Sequence, residues 1–369
     1  MRTVRRLFYR DIVSSVGFVA LAFLSLFFFI DFVEELGDVA KGYTLLHATA
    51  YSLLQAPGHL YELMPIAVLI GTIYALARLA QSSEYTILRT GGLGPGRALS
   101  LLAGLGLSFA LTTYVVGDWI APFSERQATE LQARAKGKLR IGSAGAWLKD
   151  RASTPQGERS YSVNVGSSGI DGTLQDVRIF EFDTDGRLVQ RIGAATARIG
   201  DDDTWQLGDV KVTHWNVASA GAQAVASEEK LATLAWRSSL SAGVVAAAVL
   251  PLSTMSTIEL FRYIGHLADN EQAAQRHEIQ FWKRALYPFA CLVMMALALP
   301  FAYMHARAGG ISFKVFAGIM LGIGFVLLNN MSGHLGLLRN WTPWIAASAP
   351  SAFFMLVSLA AFGWLVRYR

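Results

Sequence analysis

Long apolar stretches alternate with two kinds of polar segment along this 369-residue chain, and their lengths set the architecture. A helix rises 1.5 Å per residue, so about 20 mainly apolar residues cross the hydrocarbon of a bilayer. Six stretches reach or approach that length: 12–33, 58–80, 97–121, 282–304, 313–333 and 344–366. They form two groups of three. The interval between the groups, 122–270, is polar and punctuated by turn residues, so it reads as a separate domain.

That middle segment has the period of strands. YSVNV sends Tyr161, Val163 and Val165 to one face, and VRIFEF, DTDGR and LVQRI together predict a hairpin whose tip includes Asp185 and Gly186. WQLGDVKVTHWNV and KLATLAWRSSL add further strands at short intervals. The expected fold is therefore an α-helical integral membrane protein with six transmembrane helices and an inserted all-β, jelly-roll-like domain. Its parts are 1–121 (helices one to three), 122–270 (the β domain and its connectors) and 271–369 (helices four to six).

Ser241 to Leu252, SAGVVAAAVLPL, would invert everything after it if it crossed the membrane, but about ten apolar residues before Pro251 are too few. Charge then orients the spans. The short loops on the N-terminal side hold Arg2, Arg5, Arg6, Arg10, Arg78, Arg89, Arg97, Arg307, Lys314, Arg367 and Arg369, whereas the opposite short loops hold only Lys41 and Arg339. The positive-inside rule puts both termini in the cytoplasm and the β domain outside. Lys283 and Arg284 run against the rule, but they adjoin a long translocated domain, where it carries little weight. The opening Arg5-Arg6 and its apolar run lack a small-residue cleavage site and read as a retained first span.

Only 16% of the residues are charged, well below the quarter or so usual in soluble domains, which agrees with six spans. The net charge of +5 does not point to nucleic acid, because the basic residues flank apolar runs instead of clustering with aromatics. GGLGPG (Gly91 to Gly96) is no phosphate cradle: no strand precedes it, no GK[ST] follows, and Pro95 lacks an amide hydrogen. The histidines show no ligand spacing, and the single Cys291 lies among apolar residues as a small core side chain. Span centres are nearly free of charge, apart from Asp31 near the outer end of the first, which disfavours an ion-coupled relay.

The order of local stretches resembles the LptF/LptG family, permease subunits of the transporter that extracts lipopolysaccharide from the inner membrane. The resemblance covers the whole chain: FVEELGDVAKGYT after the first span, P-x-A-x-L-x-G from Pro65 to Gly71, LAQSSEYTILRTGG, DWIAP at Asp118 to Pro122, and LSTMSTIELFRYIGHL before a Trp-Lys-Arg entry to the fourth span. FVEEL and GLLRNWTPWIAASAPS are closer to the LptG branch.

The resemblance implies a six-helix half of a heterodimeric ABC permease in a bacterial inner membrane. Its partners would be an LptF-like permease, an LptB-like cytoplasmic ATPase dimer that binds the ATP and magnesium, an LptC-like bitopic protein and an LptA-like periplasmic bridge, with no cofactor in this chain itself. The loop at about 82–90 would be the coupling helix docked on the ATPase, with Glu84, Tyr85, Leu88 and Arg89 at the contact. Read from the residues alone, Glu84 fits either an interface charge or ordinary loop polarity. A lateral opening would take the lipid between the first span of one subunit and the fifth of its partner. Phe23, Phe27, Phe28, Phe32, Met320 and Phe325 would then line an acyl-chain cavity, the alternative for each being plain lipid-facing surface. Arg126, Arg134 and Lys136, with Lys138 and Arg140, would meet the lipid's phosphates, or form a solvated helix surface.

One position departs from the resemblance. Asp31 stands where enteric LptG proteins carry a lysine, and Gly37 and Asp38 replace a basic pair, so the third-span exit or bridging divalent cations would have to take over the phosphate contact. The rival readings are an ion-coupled secondary transporter and a non-transporting scaffold for envelope assembly.

Overall fold

The computed structural model describes residues 2–37, 39, 43–82, 94–136, 139–140, 145–154, 157–168, 173–200, 204–216, 225–249, 255–269, 274–303 and 310–368. The chain divides into two compact units, Met1–Gly37, Ser52–Ser124 and Gln275–Arg369 in one and Asp38–Tyr51 and Glu125–Ala274 in the other. Its helices are α1 (Arg2–Leu36), α2 (Leu45–Gln81), α3 (Pro95–Val115), α4 (Ala121–Lys136), α5 (Ala242–Val249), α6 (Thr257–Asp269), α7 (Gln275–Leu286), α8 (Ala290–Tyr303), α9 (Ile311–Leu338) and α10 (Pro343–Tyr368). A π-turn, Val116–Ile120, joins α3 to α4, and a 3-10 turn, Tyr287–Phe289, joins α7 to α8.

Among the described residues six helical segments are long and apolar enough to cross a membrane: Phe8–Leu36, Leu45–Gln81, Gly96–Gln132, Gln275–Phe301, Ile311–Leu338 and Pro343–Trp364. The second is the axis of the helical unit. Its most apolar window is 78% buried, against 11% for the first segment and 22% for the fifth. Lipid is as apolar as leucine, so packing between spans depends on close approach at small residues. A Cβ on Gly71 of α2 would fall 2.6 Å from Val16 of α1, and one on Gly318 or Gly322 of α9 would fall 2.7 Å from Ile73 or 2.9 Å from Ile66 of α2. These contacts seat α1 and α9 on α2.

The β unit is a single antiparallel sheet of β1 (Leu139–Arg140), β2 (Ala146–Thr154), β3 (Gly157–Ser168), β4 (Leu174–Phe182), β5 (Leu188–Ile199), β6 (Thr204–Asn216) and β7 (Val225–Arg237). From β2 onward each strand pairs with the next in sequence, and β1 and β2 share the same edge of β3. The β4–β5 turn closes as its sequence predicts: Gly186 adopts φ +75°, and Asp183 Oδ1 accepts from the amides of Asp185 and Arg187 at 3.0 and 2.8 Å.

The sheet is strongly curled. Tyr161 of β3 and Trp236 of β7 meet edge to face at 5.6 Å, although four strand spacings would separate them by about 19 Å in a flat sheet. Val163, Val165, Val177, Ile179, Trp205 and Leu207 fill the curl. Asp150 of β2 fastens it by accepting from the Ser239 amide at 3.0 Å and from the hydroxyls of Ser238 and Ser239, just past β7. The ambiguous apolar run supplies α5, eight residues long, whose Val245 is buried in the sheet's core. It plugs the β unit and is too short to span a bilayer.

Candidate functional site

Helix α1 changes character along its length. Phe8, Ile12, Val16 and Ala20, four residues apart, form a buried seam in its first half. Arg78 of α2 reaches Asp11 at 2.8 Å, and Tyr9 donates to the Leu101 carbonyl at 2.9 Å. The seam stops at Ala20. Beyond it Leu21, Leu26, Phe29, Ile30 and Val33 are exposed by 42–66%, and Phe23, Phe27, Phe28 and Phe32 are half-buried. Phe28 and Phe32 stack with rings 6° from parallel. The second half of α1 is thus an aromatic surface, attached to α2 where His59 Nε2 donates to Asp31 Oδ2 at 2.8 Å and Phe27 stacks on the same imidazole.

Helix α9 has two faces. Gly318, Gly322, Phe325, Ser332, Gly333 and Gly336 are buried, while Phe313, Phe316, Met320, Ile323 and Leu327 are exposed. Met320 therefore stands on an open apolar surface. Phe325 does not: it is 1% exposed and packs edge-on to Phe354 with Tyr287 beside it, so it is a core residue of the helical unit.

The basic residues after the third span also separate. Arg126 is bonded to Glu259 of α6. Glu259 closes a capping box at the start of α6, accepting from the Ser256 amide at 2.8 Å, and Ser256 Oγ accepts in turn from the Glu259 amide at 3.3 Å. Burial raises the carboxyl's pKa, but the Ser256 bonds and the Arg126 charge outweigh it and hold Glu259 below the ordinary carboxylate range. Arg134 is exposed, 3.7 Å from Glu130 on the same helix. The side chain of Lys136, like Lys138, lies outside the described residues. So do Glu84, Tyr85, Leu88 and Arg89; the description stops at Ser82, whose amide bonds the Arg78 carbonyl at 3.0 Å, and resumes at Gly94.

A polar cluster that the sequence reading set aside joins the third and fourth spans. The π-turn shifts the helical hydrogen-bond register and frees the Gly117 carbonyl, which accepts from the Arg284 guanidinium at 2.6 Å. Gly117 faces Tyr61 so closely that a Cβ there would lie 2.2 Å from the ring, and Tyr61 in turn donates to the Arg284 carbonyl at 3.4 Å. Tyr287 bonds the Glu62 carbonyl at 2.5 Å. Lys283 lies over Gly333 and donates to the Asn329 carbonyl at 2.8 Å. The two cations that run against the charge rule are thus each bonded to a backbone carbonyl inside the helical unit. Their violation of that rule was the available sequence signal.

The comparisons with known proteins cover the same span-and-sheet arrangement. A family model described as "Lipopolysaccharide export system permease LptF/LptG" matches residues 6–365. The Escherichia coli K12 protein "Lipopolysaccharide export system permease protein LptG" is 28% identical over 356 residues, covering 95% of each chain. The Haemophilus influenzae protein of the same name is 25% identical over 364 residues, 97% of each chain. With six span-capable helices, an inserted antiparallel sheet and a match along nearly its whole length, the chain belongs to the lipopolysaccharide export permease family LptF/LptG.

Proposed function

We propose that this chain is one half of a heterodimeric ABC permease that extracts lipopolysaccharide from the inner membrane, LptG-like in its pairing with an LptF-like subunit. The observation that carries the reading is the two-part character of α1, with a buried seam to Ala20 and no fully buried apolar side chain beyond it among the described residues. Such a surface suits acyl chains entering from the side. The exposed aromatic face around Phe28 and the exposed face of α9 around Met320 are the surfaces assigned to the lipid, with Phe23, Phe27 and Phe32 flanking the first. The β domain would lie in the periplasm, since the basic short loops flank the other ends of the spans, and would hand the lipid to an LptC-like protein and an LptA-like bridge.

Energy would come from a cytoplasmic LptB-like ATPase docked on the loop at about 82–90, with Glu84, Tyr85, Leu88 and Arg89 at the contact. Co-purification from native membrane should recover an ATPase whose turnover rises with lipopolysaccharide. Glu84→Lys should weaken that association or uncouple hydrolysis from export, with a penalty several times that of Arg97→Glu. A complex that assembles and exports normally with Glu84→Lys would contradict the coupling assignment.

A further inference from the structure

Alternation along β2 to β5 sends Leu148, Val163, Ile179 and Ile192 into the core, and turns Trp147, Ser162, Phe180 and Arg191 to the opposite face of the sheet. There Trp147 is 56% exposed. Its ring stacks on Phe180 with centroids 5.9 Å apart and planes within 21°. The two rings meet across β3 because β3 offers only short side chains between them: Trp147 pairs with Asn164, and Phe180 with Ser162. Arg191, paired with Phe180 in register, holds its guanidinium 5.7 Å from that ring's centroid. Lys149, two residues beyond Trp147 on the same face, is exposed. The nearby Asp176 is bonded to Arg178 at 2.8 Å, and among the described residues neither Lys149 nor Arg191 pairs with a carboxylate.

We propose that this platform of Trp147, Phe180, Arg191 and Lys149 binds the anionic carbohydrate of the exported glycolipid. The proposal rests on lipopolysaccharide being the substrate and extends that reading from the acyl chains to the sugars. An open indole face is negative at its centre and accepts the polarised C–H face of a pyranose. The two cations beside it are placed for charge-assisted hydrogen bonds to sugar phosphates or carboxylates. A protein hot spot would want apolar neighbours where this face has Ser162 and cations. Charge and chemistry both favour an acidic saccharide.

The test titrates the full-length protein in nanodiscs with deacylated, phosphorylated core oligosaccharide released from lipopolysaccharide, and with the same oligosaccharide after phosphatase treatment. Trp147→Ala should weaken binding of both forms about tenfold, and Arg191→Gln that of the phosphorylated form alone. Both side chains are on the surface, and unchanged thermal midpoints would show that the variants fold. Equal affinity in wild type and Trp147→Ala would overturn the proposal. So would displacement of the oligosaccharide by inorganic phosphate alone, or loss in the variants of a bound periplasmic protein with oligosaccharide binding intact. Photo-capture of intact lipopolysaccharide at Phe28 separates the two readings: capture with a flat titration removes only the platform, and no capture with a flat titration removes both.

Discussion

His59 donates to Asp31 across 2.8 Å, joining the C-terminal part of α1 to the N-terminal half of α2 at a point where α1 contributes no fully buried apolar side chain. Both groups are partly exposed, 24% and 17%, so the pair is a modest fastening worth about 1 kcal/mol. It also engages Asp31, the position at which the sequence departs from the resemblance.

If the second half of α1 swings to admit lipid, fixing this fastening should stop export. Cysteines at Asp31 and His59, joined by a short bifunctional thiol reagent in a Cys291→Ala background, should abolish lipid export while ATPase association persists. The same pair left unlinked should export at close to the wild-type rate. Normal export by the linked protein would show that α1 stays seated on α2 throughout the cycle.

The π-turn depends on Gly117. Gly117→Ala drives a Cβ into the Tyr61 ring and should destabilise the helical unit by about 1–3 kcal/mol, read as a lower thermal midpoint in detergent. Gly17→Ala, where a Cβ meets nothing within 4 Å, should stay within about 0.5 kcal/mol of wild type. Tyr61→Ala combined with Gly117→Ala should recover part of the loss, because the two side chains compete for one space.

Glu259 sets a pH dependence. Its folded pKa is depressed, so its stabilising contribution is complete above the unfolded value and is lost as pH falls through the folded one. At neutral pH wild type should be more stable than Glu259→Gln. That gap should close as the pH drops from about 4.3, the ordinary glutamate value, to below the folded value. A gap that stays constant down to strongly acidic pH would show that the carboxylate charge contributes nothing.

The strands were readable because a half-buried strand writes its burial into alternate residues, as Tyr161, Val163 and Val165 do. The short length of α5 likewise followed from counting apolar residues before Pro251. Phe325 was not readable from hydrophobicity, since a span is apolar on its lipid face and on its packed face alike. Glycine spacing was the better guide, because Gly318, Gly322, Gly333 and Gly336 lie on the packed side and Phe325 lies with them. Nor could sequence reveal the partner of Arg126, which is a capping residue 133 positions away.

Lipid capture by position tests the central claim most directly. A photo-crosslinking amino acid placed in turn at Phe28, Met320 and Phe353, in cells actively exporting lipopolysaccharide, samples three apolar positions of the spans. Phe353 on α10 is 53% exposed, so it serves as the reference for ordinary lipid contact. Lipopolysaccharide adducts are expected at Phe28 and Met320, and bulk phospholipid at Phe353. Lipopolysaccharide capture at Phe28 and Met320 no greater than at Phe353 would contradict the claim.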